Sequence, residues 1–479
     1  MSSDRNSSPG TTTTTTTIDQ RLAVVVMAAG LGTRMKSDLA KVLHPVCGRP
    51  LLSYVLDAAR GLGPARLVVV TGPSADDPVA AALPAGCERA VQLERRGSGD
   101  AVRAGMAALE GFAGDVMVLN GDHPLMHAEI LRSLLVRHRT DRAQATVTSV
   151  VRDDPVFGRV IRDEAGGVAR IVEMRDATPA EAAVRELNVG FYVFAADKLR
   201  GALPRLTANN DQGEFYLTDL VHLLLADGER VAAFVTDDLE ATIGVNSRVE
   251  LAAVNAVMRR RLLEALMVGG VTIDDPSSTY VDWGVTVGRD TVLRPQTMLT
   301  GGTAVGARCT VGPGCFLAGV TVDDGAAIVS SHLVSCHIGP GCSVGPFAHV
   351  RPRTELAEGA RAGSFVEIKA SRVGKGSKVP HLSYVGDTTI GDNTNIGAGT
   401  ITANYDGRHK HPTVIGNDVK VGSDTVFVAP VTVGDGAYTG AGSTITKDIP
   451  DGALGVARAR QEVVEGYTAR RRPPRGDES

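Results

Sequence analysis

Between Val287 and Ile445 an aliphatic residue returns every six positions, usually with a small residue behind it. The run reads Val287, Leu293, Leu299, Val305, Val311 and Leu317, then slips at Val322 and Ile328. It resumes at Ile338, Val344, Val350, Leu356, Ala362 and Ile368, and continues through Val373, Val379, Val385, Ile390 and Ile396. It ends with Ile415, Val421, Phe427, Val433, Thr439 and Ile445. A period of six fits neither a helix, which repeats at about 3.6 residues, nor an isolated amphipathic strand, which repeats at about 2. It fits a parallel β-helix of hexapeptide repeats, each aliphatic pointing inward at the same place on successive coils. The stretch TANYDGRHKHPT at 402–413 breaks the period and reads as an insertion that leaves the coil as a loop. The flat faces of such a solenoid, carrying small residues, suit packing between copies of the chain.

The grammar upstream is different. From Arg21 to about Asp237 short β-rich runs (Leu22–Met27, Leu67–Val70, Val116–Leu119, Ala145–Val151, Phe191–Phe194) alternate with helical patterns (Leu51–Leu62, Gly99–Leu109, Ala128–Arg137). Alternation of this kind predicts an α/β domain around a mostly parallel, Rossmann-like sheet. Residues 248–268 read as one amphipathic helix, with Leu251, Val254, Val257, Met258, Leu262 and Leu266 on one side, linking the halves. The expected organisation is a disordered tail over 1–20, an α/β domain over 21–247, the linker helix over 248–268, the β-helix over 269–461 and a flexible tail over 462–479. The first tail, MSSDRNSSPGTTTTTTT, is too polar to offset its ordering entropy by burial.

Composition narrows the function. A net charge of −4 gives no reason to expect a nucleic-acid surface, and no apolar run reaches the ~20 residues of a membrane span. The six cysteines form no CxxC pair and no signal peptide precedes them, which predicts free thiols in a reducing cytoplasm.

Two regions carry chemistry. The segment AAGLGTRMKSDLAKVL follows the apolar run Leu22–Met27. Gly30 and Gly32 let backbone N–H groups approach anionic oxygens, Arg34 can clamp phosphate bidentately, and Lys41 supplies a point charge. The segment lacks GK[ST], so it is not a P-loop. Asp122 closes a strand in Leu119-Asn120-Gly121-Asp122, where α/β sheets bind ligands, and it has the chemistry of a Mg²⁺ ligand. In the β-helical half, His381 is suited to remove a proton from an amine, and Arg351 and Lys369 follow inward aliphatics at hexad positions. Residues alone leave open a single-activity sugar-phosphate nucleotidyltransferase with the β-helix as an oligomerising prop, and a non-enzymatic nucleotide-sugar sensor. The first has no use for His381, Arg351 and Lys369, and the retained Arg34, Lys41 and Asp122 argue against the second, whose site would be degenerate.

AAGLGTRM with KVLH, the central LNGDHPL and the hexapeptide half together resemble the bacterial bifunctional family that makes UDP-N-acetylglucosamine. These are the N-acetylglucosamine-1-phosphate uridyltransferase/glucosamine-1-phosphate acetyltransferases, and the resemblance runs from about Arg21 to Gln461. It implies a left-handed β-helix, a homotrimer with its acetyl-transfer site shared between subunits, and a cytoplasmic enzyme with four substrates: UTP, N-acetylglucosamine-1-phosphate, glucosamine-1-phosphate and acetyl-CoA. It implies Mg²⁺ on Asp122 and Asn246, and a nucleotide held by Ala28, Ala29, Gly30, Lys41, Gln92, Gly97 and Ser98. Gly158, Glu173, Asn188 and Asn246 match the sugar-phosphate positions of the first site. In the second site the resemblance puts Arg351, Lys369, Tyr384, Asn395 and Lys410 around glucosamine-1-phosphate, with His381 as general base and Glu367 as its orienting group. Asn404, Tyr405, Ser423, Ala441 and Arg458 match the acetyl-CoA positions. The sequence departs from the family pattern at Ala40, Ser98, Val189 and His123, none of which removes a charged group.

Overall fold

The computed structural model describes residues 18–471 apart from 155, 156 and 211. The tail expectations for 1–17 and 472–479 lie outside the described residues. The chain divides into two compact units, Met1–Met258 and Arg259–Ser479, the division falling inside the helix Arg248–Val268.

The main sheet of the first unit has nine strands among the described residues: β1 (Asp19–Met27), β2 (Pro64–Thr71), β3 (Glu88–Val91), β4 (Asp115–Asn120), β5 (Ala145–Val151), β6 (Arg159–Arg162), β7 (Val168–Val172), β8 (Glu186–Ala195) and β9 (Val231–Val235). The sheet order is β9-β5-β8-β4-β1-β2-β3, with the β6–β7 hairpin attached to β8. β8 runs antiparallel to both neighbours and the other pairs along this path are parallel. β1 starts at Asp19, before the boundary drawn at residue 21, because Arg139 Nη1 donates to the Asp19 carboxylate at 2.7 Å.

The continuous apolar run of β1 follows from burial on both faces. Ala23 and Val25 pack on one side with helices α2 (Ser98–Ala108) and α4 (Thr218–Ala226), and Leu22, Val24 and Val26 pack on the other with α1 (Leu51–Arg60) and α3 (Ala128–Thr140). Met27 pairs with Asn120, so the glycine-rich loop after β1 and the Gly121-Asp122 turn after β4 leave the sheet side by side. Gln92 follows β3 at the same edge, and the antiparallel β8 brings Asn188 there. The linker helix α5 (Arg248–Val268) buries Leu251, Val254, Met258 and Leu263; Leu262 and Leu266 of the expected stripe are half-buried.

The second unit is the left-handed parallel β-helix. Three sheets of seven, ten and nine parallel strands run along it, and each residue pairs with one a coil later: Leu293 with Val311, Leu299 with Leu317, Val350 with Ile368. The hexad aliphatics form a single core in which Leu293, Leu299, Val311, Leu317, Ile338 and Val350 are fully buried. The register slips where coils shorten, Val305 pairing with Val322 and Leu317 with Leu333. The insertion is narrower than its sequence boundaries. Thr402 and Thr413 are buried in strands Ile401–Ala403 and Thr413–Ile415, leaving 404–412 as the loop. The cysteines are free, and among the described residues no helix is long and apolar enough to cross a membrane. A short helix, Tyr467–Arg471, lies in the segment expected to be a flexible tail, with the Arg471 guanidinium 5.3 Å from the Tyr467 ring centre.

Candidate active sites

Two adjoining cavities open at the ligand edge of the first unit. One, of about 440 Å³, is lined by Ala28, Ala29, Gly30, Lys41, Gln92, Gly97 and Ser98, the whole set expected for a nucleotide. The other, of about 390 Å³, is lined by Arg34, Gly158, Glu173, Asn188 and Asn246. Asn120 and Asp122 belong to both walls, so the second cavity begins at the carboxylate where the first ends.

Asp122 is the hub. Its Oδ2 accepts from Lys41 Nζ, and its Oδ1 from His123 Nδ1 at 2.8 Å. Burial resists ionisation of this carboxyl, but Lys41 and His123 outweigh it and hold its pKa far below the usual carboxylate range. Lys41 Nζ also donates to Asn246 Oδ1 at 3.1 Å. Two oxygens, one anionic and one neutral, therefore converge on a single cationic point, a donor set that fits a hard divalent ion completed by phosphate and water. Asn246 is free for this because it is not the cap of α5. Ser247 and Glu250 form the cap, Glu250 Oε2 accepting from the backbone N–H groups of Asn246 and Ser247 at 2.7 and 2.6 Å. Gly32 lets the phosphate loop lie against Lys41, since a Cβ there would stand 2.5 Å from Lys41 Cβ and its φ is +61°. Arg34 is exposed, and among the described residues it has no hydrogen-bond or ion-pair partner.

Gln92 is buried, and its side chain has one readable orientation. Its Nε2 donates to Asp100 Oδ2 at 2.9 Å and to Gly97 O at 3.2 Å. Both partners accept only, so Oε1 is the atom left for a ligand donor. In the second cavity Glu173 takes a 3.3 Å hydrogen bond from Thr218 Oγ1, while burial, Asp176 and Asp219 push its pKa up. Asn188 lines the cavity with its amide turned inward, donating to Tyr192 OH at 2.7 Å and accepting from Gly190 N at 3.2 Å. Sequence reasoning missed Arg95, which lines the nucleotide cavity with Nε on Ala29 O at 2.7 Å; its signal was the Arg95-Arg96 pair between Gln92 and Gly97.

In the β-helix, Arg351, Lys369 and Tyr384 stand one coil apart on one sheet, and Lys410 reaches Lys369 from the loop. The adjacent Lys369 ammonium pushes the Lys410 pKa down, as a neighbouring like charge does. Asp387 holds the cluster, accepting from Asn404 Nδ2 at 2.5 Å and pairing with Lys369 at 3.4 Å. Asn404, expected near the coenzyme, thus stands beside Lys369 through their shared partner Asp387. Glu367 does not orient His381: its carboxylate takes a 2.7 Å hydrogen bond from Arg351 Nη1. Asn395 lies on another sheet, bridged to Lys378 and Lys420. Tyr405 is exposed, its hydroxyl donating to Gly407 O at 2.8 Å.

His381 is exposed at a corner of the solenoid, and its carbonyl begins a ladder along that corner. Gly399 N donates to His381 O, Asp424 N to Ala398 O, Gly442 N to Ser423 O, and Arg458 Nη1 to Ala441 O. Ser423, Ala441 and Arg458 therefore line up behind His381 over four coils, about 19 Å at the ~4.8 Å strand spacing. That span suits an extended coenzyme with phosphates at one end and a reacting group at the other.

A MobA-like NTP transferase domain model matches residues 24–223, and a bacterial transferase hexapeptide model of six repeats matches residues 412–447. The chain is 49% identical over 459 residues to the bifunctional protein GlmU of Mycolicibacterium vanbaalenii, covering 94% of this chain and 93% of that one. It is 47% identical over 460 residues to that of Mycobacterium tuberculosis strain H37Ra, covering 94% and 93%. It is 46% identical over 463 residues to that of Corynebacterium efficiens, covering 95% of each chain.

Proposed function

The chain belongs to the family of bifunctional GlmU proteins, and from that premise we propose how its two sites divide the work. The enzyme N-acetylates glucosamine-1-phosphate with acetyl-CoA and joins the product to UMP from UTP, releasing pyrophosphate. The observation that carries the reading is that each unit carries its own set of groups: Lys41, Asp122 and Asn246 with Gln92 in one, and in the other the cations Arg351, Lys369 and Lys410, with His381 on the neighbouring sheet of the β-helix.

In the first site a phosphate oxygen of N-acetylglucosamine-1-phosphate attacks the α-phosphorus of UTP. A P–O bond forms as the bond to pyrophosphate breaks. Arg34 and Lys41 neutralise the phosphates, Glu173 and Gly158 hold the sugar, and positioning supplies most of the acceleration. Asp122 and Asn246 would hold Mg²⁺, which when bound adds charge stabilisation of the phosphates. Gln92 Oε1 is the acceptor for an N–H donor on the base, such as the N3–H of uracil. In the second site the amine of glucosamine-1-phosphate attacks the acetyl thioester. A C–N bond forms as the C–S bond breaks, and His381 takes the amine proton and returns it to the departing sulfur, so the coenzyme leaves as its thiol. Arg351, Lys369 and Lys410 bind the sugar phosphate, and Ser423, Ala441 and Arg458 the coenzyme. In one chain His381 and Asn395 lie on a different sheet of the β-helix from Arg351 and Lys369, which favours a site completed by another copy in a cytoplasmic homotrimer.

The test supplies glucosamine-1-phosphate, acetyl-CoA, UTP and Mg²⁺ to the purified protein and follows thiol and pyrophosphate separately. Asp122→Ala abolishes pyrophosphate release and spares thiol release; His381→Ala lowers thiol release by about 100-fold or more and spares pyrophosphate release from ready-made N-acetylglucosamine-1-phosphate. Loss of both reactions in either variant would overturn two independent sites.

A further inference from the structure

His123 stands beside Asp122 where the family pattern has an aliphatic residue, and it is 6% exposed. Its ring packs edge-on against Phe191, with centres 4.9 Å apart. A carboxylate oxygen can only accept, so the 2.8 Å contact to Asp122 Oδ1 puts the imidazole proton on Nδ1. Among the described residues Nε2 is buried without a hydrogen-bond partner, so there the ring makes one polar contact, and that contact is with Asp122. The opposite wall is Gly244, where any Cβ would stand 2.8 Å from His123 Cε1 and Nε2. The next peptide, Val245 N, donates to Asp122 O at 2.9 Å, tying the same segment to the backbone of the hub.

We propose that His123 is a positioning residue for divalent-cation binding: by occupying Oδ1 it fixes the carboxylate plane and leaves Oδ2 as the single Asp122 oxygen offered beside Asn246 Oδ1. The inference rests on the reading of Asp122 and Asn246 as the cation ligands. Without the Nδ1–H donor the carboxylate rotates about its Cβ–Cγ bond, and its alignment with Asn246 is lost. Groups that orient a metal ligand from behind typically account for about 10- to 100-fold in metal affinity.

The experiment measures Mn²⁺ binding to the full-length protein in the presence of UTP, by the electron-paramagnetic resonance of free Mn²⁺. His123→Leu, close in volume but without a donor, weakens Mn²⁺ binding about 10-fold or more. His123→Asn, whose Nδ2 takes the place of Nδ1, stays within about threefold of the parent. His123→Val is the second apolar variant, should leucine perturb folding. Intact acetyl transfer and an unchanged unfolding profile mark a folded protein. Unaltered Mn²⁺ binding in the apolar variants overturns the proposal. So does equal weakening in His123→Asn and His123→Leu, which would assign the effect to ring packing. Asp122→Ala separates the two levels. If it leaves Mn²⁺ binding intact, the cation reading itself falls; if it abolishes binding while His123→Leu does not, this inference falls alone.

Discussion

A carboxylate set among other carboxylates in a half-closed cavity is held there at a cost, and Glu173 is such a group. Burial and the nearby Asp176 and Asp219 raise its pKa above the ordinary 4.5, and the Thr218 hydroxyl only partly offsets them. The folded state therefore binds this proton more tightly than the unfolded chain. Below pH 4.5 the group is protonated in both states and costs nothing; as pH rises through the raised value, ionisation takes stability away. Glu173→Gln is expected to raise the unfolding temperature of the first unit by on the order of 1–3 °C near pH 8, with the gain vanishing in mild acid. Scanning calorimetry at the two pH values checks this, and a gain independent of pH would assign the effect to packing. Uridylyl transfer should fall in the same variant. Individual charges such as Lys41 and Asp122 were legible in the sequence because phosphate chemistry demands them near a glycine-rich turn. The orientation of Gln92 was not, because it depends on Asp100 and Gly97 accepting together, a fact of three dimensions.

Elements place these residues, and they were legible in proportion to how much of their burial was periodic. The hexads predicted the β-helix because each coil repeats one packing solution. In the first unit the doubly buried β1 and β4 stood out, whereas β3, β6, β7 and β9 did not. Those four lie at sheet edges or in a side hairpin, with short mixed patterns such as Glu88-Arg89-Ala90-Val91 that acquire meaning only from a partner strand. Two predictions belong at this scale. Glu250 holds the backbone of Asn246 and Ser247 at the start of α5, so Glu250→Ala removes a helix cap and at the same time releases Asn246, the residue proposed to hold the cation with Asp122. It should raise the Mg²⁺ concentration needed for half-maximal pyrophosphate release by about 10-fold, with acetyl transfer unchanged. An unchanged Mg²⁺ requirement would show that α5 does not position Asn246. In the β-helix, Gly363 lies one coil from Pro380 and His381, and an added Cβ would stand 2.0 Å from Pro380 O. Gly363→Ala must shift the strand that ends in His381, and acetyl transfer should drop roughly 10-fold or more while uridylyl transfer persists. Equal activity in this variant would mean that the placement of His381 tolerates movement.

At the scale of the whole molecule the two chemistries differ in what they ask of the protein, and the two units differ accordingly. Uridylyl transfer brings together a triphosphate and a sugar phosphate, and the first unit offers oxygens that converge on a cation between its two cavities. Acetyl transfer moves a neutral acyl group and one proton, and the second unit offers an exposed imidazole and the three cations Arg351, Lys369 and Lys410. The carboxylates in that cluster are already engaged, Glu367 by Arg351 and Asp387 by Lys369 and Asn404, which leaves them poor ligands for an added cation. Removing divalent ions should therefore separate the reactions. With excess EDTA, pyrophosphate release from UTP and N-acetylglucosamine-1-phosphate stops, and thiol release from acetyl-CoA and glucosamine-1-phosphate continues within about twofold of its rate; added Mg²⁺ restores the first. If EDTA stopped both, the carboxylates of the β-helix would have to be released to bind a cation during acetylation, and Glu367→Gln would then be the variant to show it. If it stopped neither, Lys41 and Arg34 alone would be carrying the triphosphate, and the convergence of Asp122 and Asn246 would serve only to hold Lys41 in place.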